Sequence, residues 1–374
     1  MHPLPSQASL YIHIPFCSTI CPFCDFTKLK SNDSLFSSYI DACCQEIIAY
    51  QHSPAIELVS IFFGGGTPSC LPISYISQLL KTIQTTFNCS QIQEITMEIN
   101  PEDVSLSYLK SLQDLGFTRL SLGVQTFNHD ECEFLGRGHT VTQSYQALDH
   151  INQFNFDLNI DLMFGLPNSS LKNLEYSLTQ ALDYNPCHIS SYSLTIEPNT
   201  PFFKKQVSKA SHDTDFMFYS FLIDFLTQQD FYHYEVSSFS KLNYDCIHNK
   251  RYWQFDSYIG IGLGAHSFIS PYRYHNQTSL NTYIKSPTPA YFLADFQPLS
   301  QQDLMSENII ANLRIPSGIL FEDYYDRYNI DFEQIFATQI SDLSQQNLIK
   351  KTATGIQTTK KGLYLLDNVC LSFL

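Results

Sequence analysis

The first half of the chain alternates short apolar runs with longer amphipathic stretches. Short apolar runs rich in β-branched residues predict buried strands, and apolar residues that recur every three or four positions predict helices. The predicted strands are Leu10–Ile14, Leu58–Phe63, Glu94–Ile99, Arg119–Gly123, Leu158–Phe164 and Ile189–Leu194. The predicted helices between them are Leu35–Ala49, Ile73–Phe87, Leu106–Leu115, Thr142–Phe154 and Leu171–Leu182.

This alternation is typical of right-handed βαβ units, which build a parallel sheet. The prolines of Asn100-Pro101 and Asn185-Pro186 mark turns between units. Six units are fewer than the eight that close a TIM barrel. The pattern therefore predicts an α/β fold with an open, six-stranded (β/α)6 partial barrel.

The alternation becomes irregular after Pro198. A helix is predicted over His212–Gln229, and residues 232–283, rich in Gly, Tyr and His, predict strands and loops. A new pattern begins at Gln301, where helical stretches lead into a polar β-hairpin over residues 348–361. These helical stretches are Met305–Leu313, Phe321–Tyr328 and Asp331–Asn347. We expect a partial-barrel domain over residues 1–200, an extension over 201–300 and a smaller C-terminal α+β, winged-helix-like domain over 301–374.

The composition and net charge of the chain limit the classes of function that it fits. The 374 residues are 44% hydrophobic, and 21 basic against 36 acidic residues give a formal charge of −15. This acidity argues against a nucleic-acid partner, so the winged-helix-like module is expected to serve packing or protein contacts. Met1–Gln7 lacks the pattern of a secretory signal, and no apolar stretch is long enough to span a bilayer. We expect a cytoplasmic protein whose eleven cysteines are not paired in disulfides.

Three cysteines stand close together on the loop predicted to follow the first strand. Cys17, Cys21 and Cys24 have the spacing C-x3-C-x2-C. Iron–sulfur clusters are normally held by four cysteines, so three thiolates on a four-iron cluster leave one iron open to a small molecule. The alternatives are free thiols or a zinc site. A zinc ion normally needs four protein ligands, and only Cys43-Cys44 could supply the missing one, with strain in the chain. The spacing favours a 4Fe–4S cluster.

Polar or glycine-rich motifs follow the next predicted strands, at the end of a parallel barrel where active sites lie. They supply Gly65, Gly66 and Thr67 after the second strand, Glu98 in the third, Gln125 and Arg137 after the fourth, and Asp161 in the fifth. Each has an ordinary structural alternative, such as a helix cap for Gln125 or a surface ion pair for Arg137. An unpaired carboxylate inside an apolar strand is costly, however, so Asp161 indicates a functional site. Together these groups suit S-adenosylmethionine, a zwitterion with a sulfonium.

These motifs resemble those of a known family. The segments are Tyr11–Cys17, Gly64–Ser69, Gly123–Gln125 and Asp161–Pro167. They look like the radical S-adenosylmethionine family of oxygen-independent coproporphyrinogen III oxidases and their relatives, and the resemblance runs over nearly the whole chain. It implies that Cys17, Cys21 and Cys24 bind a 4Fe–4S cluster. It also implies contacts to S-adenosylmethionine from Tyr11, Gly65, Gly66, Thr67, Glu98, Gln125, Arg137 and Asp161.

Two features depart from the oxidases of that family. Those enzymes carry a further cysteine two residues beyond the third, where this chain has Phe26. They also have a longer N-terminal arm, whereas sixteen residues precede Cys17 here. Both departures match the haem-chaperone branch of the family, called HemW, and make coproporphyrinogen III dehydrogenase activity an unfavoured expectation.

The branch has its own motif, H-N-x-x-Y-W, present here as His248–Trp253. Histidine is a common axial ligand of haem iron, and aromatic rings pack on a porphyrin face. The resemblance implies that His248, Tyr252 and Trp253 contact haem. The structural alternative is a buried, hydrogen-bonded histidine. Weaker candidates for haem contacts are Cys246 and His266.

The leading hypothesis is a cytoplasmic haem chaperone that binds haem and passes it to an acceptor protein. The cluster and S-adenosylmethionine then have a regulatory or interaction role. The alternatives are radical oxidative decarboxylation of coproporphyrinogen III and another radical reaction on an unknown substrate. The expected partners are haem and a haem acceptor, with respiratory haem proteins as candidates. Any membrane contact is expected to be transient.

Overall fold

The computed structural model describes residues 4–51, 55–289, 292 and 296–374. In chain order the strands are Gln7–Ile14 (β1), Phe16–Cys17 (β2), Leu29–Lys30 (β3), Glu57–Gly65 (β4), Glu94–Ile99 (β5), Arg119–Gln125 (β6), Asp157–Phe164 (β7), His188–Ser193 (β8), Tyr232–Glu235 (β9), Ser238–Ser240 (β10), Tyr258–Ile261 (β11), His266–Ile269 (β12), Tyr272–His275 (β13), Ile319–Leu320 (β14), Ile349–Lys351 (β15) and Gly355–Thr358 (β16). The α-helices are Phe36–Ala49 (α1), Ile73–Thr86 (α2), Leu106–Asp114 (α3), His129–Phe134 (α4), Val141–Ile151 (α5), Leu171–Leu182 (α6), Pro201–Lys204 (α7), His212–Gln228 (α8), Ile247–Trp253 (α9), Leu280–Lys285 (α10), Gln301–Asn312 (α11), Phe321–Tyr328 (α12), Phe332–Ile335 (α13), Ala337–Gln345 (α14), Lys360–Tyr364 (α15) and Leu366–Leu371 (α16).

Six parallel strands form the centre of the main sheet. β1, β4, β5, β6, β7 and β8 lie side by side in this order, and each is parallel to the next. Helices α1, α2, α3, α5 and α6 lie in the connections between successive strands. β1 and β8 pair with further strands instead of each other, so the barrel stays open. The predicted six-stranded partial barrel is therefore confirmed.

The sheet extends beyond the six strands that the alternating pattern indicated. On one side β11 runs parallel to β1, and β12 and β13 follow it in antiparallel order. On the other side β10 and β9 continue from β8, both antiparallel. The described sheet therefore has eleven strands. The residues predicted as irregular strands and loops supply both of its flanks.

The barrel strands are buried because helices and side chains cover both faces, and such strands are apolar along most of their length. In β1, Leu10, Ile12 and Ile14 are fully buried. The helices bury one stripe each, and in α2 this stripe includes Leu79 and Ile83. Burial of each large aliphatic side chain contributes roughly 1.5–3 kcal/mol. A continuous apolar core thus holds the carboxyl ends of the parallel strands at one edge.

The C-terminal residues build a second, smaller hydrophobic core. β14, β16 and β15 form an antiparallel three-stranded sheet, and helices α11 to α16 surround it. Its centre includes Tyr324, Phe332 and Ile356. Lys360 ties this part to α8, since its ammonium donates to the Asp224 carboxylate at 2.7 Å. This is the α+β, winged-helix-like arrangement that the sequence predicts.

A buried carboxylate joins α1 to the flank formed by β11, β12 and β13. Glu46 is fully buried and accepts hydrogen bonds from the Gly262 N–H at 2.9 Å, the Asn276 amide at 2.6 Å and the Tyr283 hydroxyl. Burial raises the pKa of Glu46 to about 8. A protonated Glu46 can donate to Tyr283, whose hydroxyl is within 3.4 Å of the Cys43 sulfur. The cluster therefore favours the neutral acid near neutral pH.

The raised pKa of Glu46 predicts a pH dependence of stability. A glutamate in an unfolded chain has a pKa of about 4.3. Between that pH and about 8, Glu46 in the folded protein therefore binds more protons than it does in the unfolded chain. Stability attributable to Glu46 therefore falls as pH rises through this window. We expect Glu46→Gln to remove this contribution, so that between about pH 5 and 8 the wild type loses on the order of 2–4 kcal/mol more unfolding free energy than the variant.

Urea unfolding followed by circular dichroism at several pH values measures this difference. Glu175→Gln on the exposed face of α6 is the matched control and should keep the wild-type pH profile. Equal pH slopes for the wild type and Glu46→Gln would contradict the assignment of a raised pKa to Glu46.

Candidate functional site

A cavity of about 700 Å³ lies inside the barrel. The predicted site residues that line it are Tyr11, Cys17, Cys21, Cys24, Gly65, Gly66, Thr67, Glu98, Gln125, Arg137, Asp161, Cys246, His248 and Tyr252. Trp253 is not among the lining residues. The fold thus brings together residues that are separated by more than 200 positions in the chain.

The cysteine loop closes one end of this cavity. Cys17 ends β2, which pairs with β3 and so folds the loop back on itself. Burial raises the pKa of Cys17 to about 11 and also raises the pKa of Cys24. These thiols stay protonated near neutral pH unless a cationic centre stabilises the thiolates. Metal binding to this loop would therefore release the thiol protons and would be favoured by higher pH.

The arrangement of the thiols fits a cluster better than a single ion. Among the described residues, no three His, Cys, Asp or Glu side chains are placed to hold one metal ion. In a 4Fe–4S cluster each cysteine binds a different iron, so the thiolates do not converge on one atom. Thiols spread along a loop at the edge of a cavity are compatible with that geometry.

The glycine loop after β4 packs directly on the cysteine loop. A Cβ atom on Gly66 would lie 2.7 Å from the Pro15 carbonyl carbon and 2.9 Å from the Cys17 sulfur. Gly65 has a φ of 115°, which side-chain-bearing residues rarely adopt. The Thr67 N–H donates to the Phe16 carbonyl at 2.8 Å. The glycines therefore allow a close approach between the two loops that line the cavity.

Two carboxylates face the cavity from neighbouring parts of the sheet. Glu98 accepts from the Gly65 N–H at 3.1 Å, and burial together with the charge of Asp161 raises the pKa of Glu98 to about 8. Asp161 accepts from the Ser121 hydroxyl at 2.9 Å and the Asn159 amide at 2.8 Å, and burial raises its pKa. A positive charge in the cavity would favour the ionised form of both carboxylates. The pair is therefore suited to a ligand with an ammonium or a sulfonium group.

Gln125 ends β6, and the side chain of Arg137, from the loop between α4 and α5, reaches the same end of this strand. Gln125 has a φ of 71° at an irregularity in the pairing of β6 with β7. Strained backbone of this kind is concentrated at ligand sites. The Arg137 guanidinium donates to the Asn100 side-chain oxygen at 2.7 Å, to the Gly123 carbonyl at 3.0 Å and to the Cys21 sulfur at 3.1 Å. Arg137 therefore links the cysteine loop to the wall of the cavity.

The sequence analysis missed several polar residues of the cavity wall. Asn159 donates to the Ser121 hydroxyl at 2.7 Å, and its carbonyl oxygen accepts from the His188 Nδ1–H at 2.6 Å. The Nε2 atom of His188 accepts from the Tyr234 hydroxyl at 2.7 Å. Asn159 could have been found by the argument applied to Asp161, because it is also a polar residue within an apolar strand.

The H-N-x-x-Y-W helix lies at the opposite end of the barrel from the cysteine loop. Glu94, the first residue of β5, accepts from the backbone N–H groups of Ile247 at 3.0 Å and His248 at 3.1 Å. Arg119, the first residue of β6, pairs with the same carboxylate at 3.0 Å. Both strands begin at this end, so α9 covers the amino edge of the parallel sheet.

Both ring nitrogens of His248 are hydrogen-bonded inside the protein. Ser60 donates its own proton to the Ser9 hydroxyl, so the His248 Nδ1–H donates to Ser60 at 2.9 Å. Nε2 then accepts from the Tyr252 hydroxyl at 2.8 Å. Burial lowers the pKa of His248 to about 3, which leaves the imidazole neutral. Ligation of haem iron by Nε2 requires the Tyr252 hydroxyl to be displaced.

Trp253 faces away from the cavity, toward the C-terminal part of the chain. The Arg314 guanidinium lies 4.2 Å from its ring centroid, and its carbonyl oxygen accepts from the Asn312 side chain at 2.7 Å. Cys246 is buried beside Glu94, with its sulfur 3.4 Å from the carboxylate. His266, by contrast, is exposed at the start of β12. Of the residues predicted to contact haem, Cys246, His248 and Tyr252 line the cavity, whereas Trp253 and His266 do not.

Comparison with known families agrees with the fold and the loop motifs. Residues 11–180 match the model of the Radical SAM superfamily, and residues 299–365 match that of the HemN C-terminal domain. The solved structure of the coproporphyrinogen III oxidase HemN from Escherichia coli superposes with a TM-score of 0.84 and 25% identity, over 98% of this chain and 90% of that one. The chain is thus a radical SAM protein with a HemN-type C-terminal domain.

Comparison with curated relatives assigns the chain to one family within this class. The heme chaperone HemW of Lactococcus lactis is 33% identical over 99% of this chain and 98% of its own length. The heme chaperone HemW of Bacillus subtilis is 32% identical over 98% of this chain and 99% of its own length. This chain belongs to the heme chaperone HemW family. Within the described residues, no helix has the length and apolar character needed to cross a membrane.

A radical SAM domain implies a 4Fe–4S cluster and S-adenosylmethionine. The residues present fit both groups: buried thiols face one end of the cavity, and two carboxylates and a guanidinium lie beside them. The glycine loop leaves room where a Cβ atom would collide with the cysteine loop. The site is thus chemically suited to the cofactors that the domain implies.

The first prediction for this site concerns iron. Ala in place of Cys17, Cys21 or Cys24 should each remove most of the iron and visible absorption after anaerobic reconstitution, because no fourth cysteine ligand is predicted to compensate. Cys89→Ala, at a partly exposed cysteine outside the cavity, should keep the wild-type iron content. A full complement of four irons in any of the three loop variants would refute the cluster assignment.

A second prediction tests the cavity wall. Asp161→Ala and Gln125→Ala should weaken S-adenosylmethionine binding by about 1–3 kcal/mol each, since each removes hydrogen bonds to a buried polar ligand. Isothermal titration should therefore show a rise in Kd of roughly 5- to 150-fold with unchanged iron content. Asp114→Ala on the exposed surface of α3 is the control. Wild-type affinity in both cavity variants would show that other residues hold the ligand.

Proposed function

We propose that this protein is a cytoplasmic haem chaperone, which binds haem and transfers it to an acceptor protein. The observation that carries the proposal is the similarity, along almost the entire chain, to relatives named heme chaperone HemW. Similarity of this extent includes the cysteine loop, the H-N-x-x-Y-W helix and the C-terminal domain.

Phe26 supports a porphyrin-binding role at the mouth of the cavity. It lines the cavity beside Cys24 and is 67% exposed. An aromatic ring at this position can pack against a flat macrocycle, whereas it cannot act as a metal ligand.

The remaining site residues would hold the two cofactors in place. Cys17, Cys21 and Cys24 would bind the cluster, which with S-adenosylmethionine supplies one-electron chemistry when both are bound. Glu98 and Asp161 would accept hydrogen bonds from the cationic end of S-adenosylmethionine. The other proposed contacts to S-adenosylmethionine are Tyr11, Gly65, Gly66, Thr67, Gln125 and Arg137. We propose that this occupancy regulates haem transfer.

The proposed organisation follows the division of the chain into three parts. The barrel over residues 1–200 carries the cofactor site, and the extension over 201–300 adds both flanks of the sheet. The domain over residues 301–374 offers a surface for the haem acceptor, which we expect to be a haem protein such as a respiratory one. The net charge of −15 disfavours nucleic acid as a partner.

The second candidate function is oxidative decarboxylation of coproporphyrinogen III. It is favoured by the superposition on the E. coli coproporphyrinogen III oxidase. Phe26 argues against it, because that position carries a further cysteine in the oxidases that the sequence resembles. The chaperone function is therefore the better supported of the two.

The two functions predict opposite outcomes in one anaerobic experiment. We expect the reconstituted protein to bind about one haem per monomer and to form no protoporphyrinogen from coproporphyrinogen III, with E. coli coproporphyrinogen III oxidase as the positive control. Haem-loaded protein should transfer haem to apomyoglobin, a generic acceptor, as followed by the visible spectrum. Repeated turnover of coproporphyrinogen III would overturn the chaperone proposal, as would the absence of saturable haem binding.

A further inference from the structure

We infer that the imidazole ligand of haem iron in this chain is His275, with His266 beside it, on the hairpin of β12 and β13. This inference rests on the proposed haem-chaperone function and assigns its iron ligand to a surface outside the H-N-x-x-Y-W motif. It starts from a contrast between the histidines: His248 is buried with both nitrogens hydrogen-bonded, whereas His266 and His275 are exposed.

The sheet topology brings both histidines to the edge that carries the cysteine loop. β11 is parallel to β1, so it ends at the carboxyl edge of the barrel strands. β12 is antiparallel to β11 and therefore begins at that edge, with His266. β13 is antiparallel to β12 and therefore ends there, with His275. Residues 266 and 275 are direct cross-strand partners.

The hairpin lies against the segment that follows the third cysteine. A Cβ atom on Gly264, two residues before His266, would lie 2.9 Å from the Thr27 hydroxyl. Thr27 follows Phe26, the exposed aromatic residue at the cavity mouth, and its carbonyl oxygen accepts from the His13 ring at 2.7 Å. The hairpin is thus in contact, two residues before His266, with the segment that carries Phe26.

The hydrogen bonds at His275 prepare one ring nitrogen for a metal. Its Nδ1 atom lies 2.9 Å from the Asn276 carbonyl oxygen. A carbonyl oxygen only accepts, so Nδ1 carries the proton and the neutral ring has its lone pair on Nε2. Metal-binding histidines commonly donate their other ring N–H to a backbone carbonyl in this way. The hydrogen bond to the Asn276 carbonyl therefore sets the tautomer and the orientation of the His275 ring independently of the iron.

His266 adds a second imidazole at the same place. The two ring centroids are 5.3 Å apart and the rings are tilted by 41°. Arg273 is itself engaged by the Glu307 carboxylate at 2.7 Å and by the Tyr258 hydroxyl at 2.8 Å, so it does not compete for the histidines.

A pair of imidazoles suits haem better than a free metal ion. A zinc ion in a structural site needs four protein ligands, and no group of three or more His, Cys, Asp or Glu among the described residues is placed to hold one ion. Haem iron already has four porphyrin nitrogens and needs only one or two protein ligands. An exposed ligand pair also leaves the haem accessible to an acceptor.

Haem titration of the full-length, reconstituted protein tests this inference. We expect His275→Ala to shift the Soret band and to raise the Kd for haem at least tenfold, and His266→Ala to have a smaller effect in the same direction. Added imidazole should restore the Soret position in His275→Ala, because it replaces the missing iron ligand. The exposed His212→Ala is the matched control and should bind haem as the wild type does.

Three further arms separate the explanations. Iron-free protoporphyrin IX should bind the wild type and His275→Ala equally, since it offers no metal to ligate. Stoichiometric binding of Zn²⁺ alone that disappears in the double variant would overturn the assignment in favour of a free ion. An unchanged Soret band and Kd in the double variant, with a change in His248→Ala, would overturn it in favour of the helix. If the wild type itself binds no haem, the proposed function fails with it.

Discussion

The ion pair between Glu94 and Arg119 is the interaction on which the architecture of the cavity depends. Both side chains are 4% exposed and lie 3.0 Å apart at the beginning of adjacent strands. The Glu94 carboxylate also accepts two backbone N–H groups of α9, so it holds this helix across the amino edge of the barrel. Removal of one partner from such a buried pair costs roughly 3–5 kcal/mol, because the other charge is left uncompensated. With this end covered by α9, the chemistry is concentrated at the carboxyl edge.

At that edge lie thiols and carboxyl groups whose charged forms are disfavoured by burial. Burial raises the pKa of Cys17, Glu98 and Asp161, so this part of the protein by itself favours the neutral thiol and the neutral carboxylic acids. A cationic cluster and a cationic ligand would each restore the ionised forms, and the free energy of restoring them is linked to binding. Cluster and ligand are expected to stabilise each other's sites, since Arg137 contacts both the cysteine loop and the cavity wall.

The H-N-x-x-Y-W motif illustrates how a family motif can have a structural role. His248 connects β4 to its own helix through Ser60 and Tyr252, and Trp253 lies under the Arg314 guanidinium of the C-terminal part. These contacts link the amino edge of the barrel, which α9 covers, to the smaller C-terminal hydrophobic core. The exposed hairpin of β12 and β13 carries no such motif but places two imidazoles side by side.

The parallel barrel could be predicted from the sequence alone, because buried strands and amphipathic helices each have a periodicity that is visible locally along the chain. The sequence also indicated the cysteine loop and the polar strand ends, since residues at the ends of parallel strands share one edge by topology. It could not show that His188 lines the cavity, because the hydrogen bonds of its ring connect different strands. Nor could it separate buried His248 from exposed His266 and His275, since burial depends on which strands flank β1. The described sheet also gains β11, β12 and β13 on one side and β10 and β9 on the other. These pairings join segments that are distant in the sequence, so they are visible only in the tertiary structure.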